Sequence, residues 1–167
     1  PVGAEGPVEG TVRVVEPAGW DVGPCPGIGW VGELEISGYG EMDGMYGFQL
    51  YHTDFGTDTN SVFVDDWWRW SEYFAVHDAP FELDEDGNIV DCEPGEVVLQ
   101  GYDSGVGNLT LNEFWDTGYV AMAAGPFEGL EGAMTFQLGH FTEFNEEITM
   151  PDGNAYPTAF EASFRVK

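Results

Sequence analysis

At 167 residues with 43% hydrophobic side chains, the chain has the size of one domain and enough apolar material to bury a proper core. Four Lys plus Arg face 31 Asp plus Glu, and the formal charge of -27 repels nucleic acid and anionic membrane surfaces, which sets both aside as partners. The carboxylates are spread along the chain among aromatic residues rather than gathered in a tail, so they read as an acidic shell over a folded core, suited to a saline or calcium-containing extracellular medium.

Residues 1–7, "PVGAEGP", form an exposed segment ahead of the first predicted strand, and the start at Pro1 rather than Met reads as a processing scar or a chosen boundary. Strand signals follow in chain order. In "VEGTVRVVE" (8–16), Val8, Val12 and Val14 alternate with Glu9, Thr11 and Arg13. The same period of two recurs in 30–38 and 45–52, then in 96–102, 108–114, 117–125, 132–141 and 158–166. Clusters of Gly, Pro, Asn and Asp separate these runs, among them "GPCPGIG", "DEDGN", "YDSGVGN" and "MPDGNAYP". No long amphipathic helix remains, and no apolar run approaches the roughly 20 residues of a membrane helix, so a soluble all-β domain spanning 1–167 is expected.

Cys25 and Cys92 sit in turn-rich segments and belong to no CxxC pair or Cys/His cluster. Their even number and turn contexts predict a disulfide, with two free thiols as the alternative; a disulfide points to export into a periplasmic or extracellular space. The stretch "DDWWRWSEYFAVHD" (65–78) predicts a strand with Trp68, Trp70, Glu72 and Phe74 on one face and Trp67, Arg69, Ser71 and Tyr73 on the other. Large side chains on both faces imply cover on both. A short helix capped by Asp65 or Asp66, with Trp67, Trp70 and Phe74 inward, is the competing reading.

Four oxygen-bearing side chains, Asp84, Asp86, Asn88 and Asp91, surround Gly87 like the first half of a calcium loop, which makes calcium the one candidate cofactor. The position where such a loop needs a bidentate Glu holds Gly95, and an Asp-Gly hairpin turn explains the same residues. His52, His77 and His140 stand singly and read as ordinary strand residues.

Residues 117–139 run as a strand into Gly125-Pro126-Phe127-Glu128-Gly129-Leu130-Glu131-Gly132 and out into another strand. This G-x-F-x-G-x-x-G connection resembles the hairpin joining two late strands in the allene oxide cyclase and dirigent-like β-barrel group. The resemblance covers about 50 residues and implies an antiparallel barrel of about eight strands, here with long loops and insertions, closed by a final strand at "FEASFRV". Its glycines would allow a tight, positive-φ path while Phe127 plugs the barrel end. It also implies an interior that holds a small apolar molecule, in a group whose members include cyclases of unsaturated lipids; it transfers no catalytic residue.

The expected function is therefore a secreted acidic barrel binding a small apolar ligand, of an isomerase or cyclase type if it is an enzyme. Trp68, Trp70 and Phe74 are the candidate ligand-binding residues. Glu72, a carboxyl group between aromatic neighbours, is the candidate acid, with pairing to Arg69 or exposure to solvent as its alternatives. The alternative function is a structural or assembly subunit of a surface layer or filament, a homo-oligomer or polymer that uses its N-terminal strand. A third reading, carbohydrate binding, would use Trp20 or Trp115 as platforms.

Overall fold

The computed structural model describes residues 7–19, 22–52, 61–150 and 152–167; residues 1–6 of the N-terminal segment, and Trp20, lie outside the described residues. Nine strands follow in order: β1 (Val8–Val15), β2 (Ile28–Ile36), β3 (Gly44–Tyr51), β4 (Ser61–Val64), β5 (Trp67–His77), β6 (Val97–Asn108), β7 (Glu113–Ala123), β8 (Met134–Thr149) and β9 (Ala155–Val166). Each pairs antiparallel with its neighbours. Eight of them close into a ring, β1-β2-β3-β5-β6-β7-β8-β9 and back to β1, while β4 extends β5 outside it. β9 bonds both β8 and β1, so the final strand closes the barrel as expected.

Alternation decides which side chains fill the ring. Val12, Leu34, Phe48, Phe74, Leu99 and Phe164 point inward and are at most 2% exposed, and Phe48, Phe74 and Phe164 pack ring against ring. Such aromatic pairs add about 0.5–1.5 kcal/mol each beyond their burial. One barrel end is shut by the connection between β7 and β8. Gly125, Gly129 and Gly132 all take positive φ there, which a side chain would resist. The turn so formed drives Phe127 inward, edge-to-face on Tyr46, whose hydroxyl donates to the Met42 carbonyl.

The stretch 65–78 is strand β5, not a helix. Its first half buries Trp68, Trp70 and Glu72 and leaves Trp67 and Tyr73 partly exposed, whereas near its end both faces are covered. The outer cover comes from residues 78–96. Cys92 in this loop is disulfide-bonded to Cys25, and Ile28, Val31 and Ile89 form a second small core beneath it. Under the same loop His77 accepts at Nε2 from the Gln49 amide and donates from Nδ1 to the Pro94 carbonyl. Both ring nitrogens are thus used by a neutral imidazole, and burial lowers its pKa to keep it so.

Two expectations are corrected. "YDSGVGN" is not a turn but the second half of β6, and "NLTLNEF" is not a strand but the end of β6, a turn at 109–112 and the start of β7. Packing explains the first. A Cβ at Gly105 would lie 2.7 Å from the Trp70 indole, and one at Gly101 2.7 Å from the Phe74 ring. These glycines are inward-facing positions emptied for rings from β5, so the strand lacks the apolar alternation that marks its neighbours.

Candidate functional site

Toward the barrel end away from Phe127, the interior opens into a cavity. Its core measures about 40 Å³, and with its mouth the space between protein atoms is about 420 Å³. The wall is aromatic: Trp30, Trp68, Trp70, Phe114, Phe141 and Phe160. They brace one another, with Trp68 against Trp70 at 5.2 Å, Trp70 against Phe114 at 5.7 Å and Trp30 against Phe160 at 5.3 Å between centroids. The expected inward face of β5 is thus the face on which Trp68, Trp70 and Glu72 line the cavity, while Phe74 lies deeper in the core.

At the floor, strand register gathers three carboxyl groups. Glu72 on β5 faces Asp103 on β6 directly, and Asp116 on β7 lies on the diagonal from Asp103. One oxygen from each lies within 4.8 Å of the others, and the residues are 5%, 0% and 4% exposed. Gly118, the direct partner of Asp103 on β7, leaves the room: a Cβ there would meet Thr135 Oγ1 and the Asp103 Cα. Across that gap Gln137 on β8 donates from Nε2 to Asp103 Oδ2 at 3.3 Å, and Trp70 donates from Nε1 to Asp116 Oδ2 at 2.8 Å.

No cation balances the cluster among the described residues. Arg13 and Arg165 pair with Glu9, Glu33, Glu35 and Glu161 on the outer surface, and Arg69 projects from the outer face of β5. Glu72 therefore does not pair with Arg69, nor does it reach bulk water. Burial, reinforced by the other carboxylates, raises the pKa of Glu72 and of Asp103 well above the usual range. Asp116 is pushed up to about 7, burial outweighing the hydrogen bonds from Asp103 and Trp70. Ionised, Asp103 and Asp116 would each leave Oδ1 without a partner. A proton held by Asp103 and donated to Asp116 satisfies both, which is how adjacent buried carboxyls avoid like charge.

Other polar atoms around the cavity remain unpartnered: Trp68 Nε1, His52 Nδ1 and Gln137 Oε1. His52 is half-buried and desolvation lowers its pKa. The arrangement can hold a mostly apolar molecule against aromatic faces, offer it a few hydrogen bonds, and give or take a proton at a carboxyl.

Reading strands from the sequence found Glu72 and its aromatic neighbours but missed Asp103, Asp116, Gln137 and Thr135. The signal for Asp116 was present: counting in twos from buried Phe114 to buried Val120 places it inside. Of the calcium candidates, Asp84 accepts at Oδ1 from the backbone N–H groups of Asp86 and Asn88, within a tight hairpin closed by the Leu83–Ile89 bridge. Asp91 instead accepts from the Glu93 N–H. Among the described residues, Glu72, Asp103 and Asp116 are the set of carboxylates placed closely enough to share an ion.

Fold and site together define a closed eight-stranded antiparallel barrel with an aromatic cavity and a buried carboxyl floor. No protein-family model, curated protein or solved structure matches this chain.

Proposed function

We propose that this barrel binds a small, largely apolar, unsaturated molecule and moves a proton to or from it, as an isomerase or cyclase of the allene oxide cyclase kind. The observation that carries the reading is the meeting of Glu72 and Asp116 with six aromatic rings on one cavity that also presents unpartnered polar atoms. A protonated carboxyl delivers its proton to a double bond or an oxygen of the ligand, and positive charge developing on carbon faces the rings, whose quadrupoles stabilise it. The carboxylate so formed takes a proton from an adjacent carbon, which restores the acid and leaves a rearranged product. Trp68 Nε1 and His52 Nδ1 orient polar atoms of the ligand, and the narrow cavity enforces a folded conformation.

The disulfide supports export to an oxidising compartment, where such a bond persists. Organic extraction of the native protein followed by mass spectrometry tests the reading. It should yield a small unsaturated molecule, and Glu72→Gln should keep the fold while stopping turnover or capture. Protein that carries no ligand, and whose tryptophan fluorescence no unsaturated apolar compound alters, contradicts it.

A further inference from the structure

Strands β5 to β8 are inverted over part of their length, polar inward and apolar outward, and the outward half has no use in the cavity chemistry. The pairing register sets these outward side chains in three adjoining rows. One runs Val62, Arg69, Val106, Trp115, Leu138; the next Ser71, Ser104, Thr117, Phe136; the third Tyr73, Tyr102, Tyr119, Met134. None of the three rows contains Asp or Glu, in a chain carrying 31 of them. With Val64 and Trp67 at its margin, the face holds ten large apolar or aromatic side chains that are each 38–62% exposed.

We infer that this face is where a second copy of the chain docks. Taking roughly 200 Å² for a large side chain, the exposed apolar area is on the order of 800 Å², about one side of a standard interface and more than a typical monomer leaves bare. Charge selects the occupant. Two copies of -27 repel over most of their surfaces and can approach where neither carries carboxylates. The face is also complementary to its own rim. Arg69 has no carboxylate within salt-bridge distance among the described residues, while Glu113, exposed at the start of β7 beside the rows, has no cationic partner among them and can meet the copy's guanidinium. A two-fold axis through the face would place Trp115 and Leu138, which are register partners, against the same pair of the copy. A lipid occupant fits less well. The outer faces of β1, β2 and β9 carry Glu9, Arg13, Glu33, Glu35 and Glu161, so the apolar surface is a one-sided patch and not a girdle around the barrel.

Sedimentation equilibrium of the full chain tests this, in 1 M sodium chloride to screen the general repulsion and at concentrations from about 1 to 100 µM. The mass should be at least twice that of the chain. Thr117→Glu sets a charge at the centre of the face on an exposed position and should give a folded monomer with unchanged circular dichroism. Arg69→Gln should weaken association about tenfold, and Met45→Glu, exposed on β3 opposite Glu35 of β2 and outside the three rows, should leave the mass unaltered. Wild-type protein that stays monomeric at 100 µM overturns the inference, whether it is bare or binds soluble glucans or vesicles through this face. An oligomer that survives both Thr117→Glu and Leu138→Glu also overturns it.

Discussion

Glu72, Asp103 and Asp116 illustrate how a residue's chemistry is set by register rather than by its own type. Like charges directly across two strands destabilise a sheet, so the pair Glu72 and Asp103 persists because protons neutralise it. The sign for stability follows from the raised pKa values. A carboxyl whose folded pKa lies above its unfolded one stabilises the fold fully below the unfolded value of about 4, and that stability is lost as pH rises through the folded value, about 7 for Asp116. The melting midpoint should therefore fall between about pH 4 and 7. Asp116→Asn should flatten this fall and raise stability at pH 8 by a few kcal/mol, measured by thermal melts of both proteins. A pH profile unaltered by Asp116→Asn would show that the group titrates as an ordinary carboxylate.

At the scale of elements, the outcome depended on what each strand must make room for. β1, β2 and β9 were legible in the sequence because inward positions such as Val12, Leu34 and Phe164 are apolar and outward ones such as Arg13, Glu35 and Ser163 are polar. Of β6 the first half was legible as the strand expected at 96–102, but the second half was not, because the inward sequence from Gly101 on is Gly101, Asp103, Gly105, Gly107, shaped by the rings of another strand. β8 misleads in the opposite sense, since Thr135 and Gln137 are inside while Phe136 and Leu138 are outside. Asp103 and its partner Gln137 were thus hidden in segments whose hydrophobic pattern reports the partner element or a surface. Gly105→Val should force the Trp70 indole out of place and cost about 1–3 kcal/mol or more in urea melts. Phe127→Ala, which opens the plugged end, should cost about 3–5 kcal/mol. Replacing Cys25 and Cys92 by Ser removes a link across 67 residues and should cost roughly 4 kcal/mol. That loss should appear first as faster amide exchange in residues 78–96.

Taken whole, the molecule places carboxyls that hold protons inside and a far larger number of ionised ones outside, with one apolar face between. The Arg13 contacts with Glu33, Glu35 and Glu161 are exposed and contribute little, so the outer shell acts mainly through repulsion. Raising sodium chloride from 0.05 to 2 M should raise the melting midpoint, and a flat or falling midpoint would mean that the shell is locally compensated. Carbon-13 NMR titration of the Asp and Glu side-chain carboxyl carbons will show whether the cavity floor keeps a transferable proton near neutral pH. Asp116 should keep its proton until pH approaches about 7, and Glu72 and Asp103 should titrate well above the surface carboxylates. Loss of all three protons near pH 4 with the surface carboxylates would contradict this.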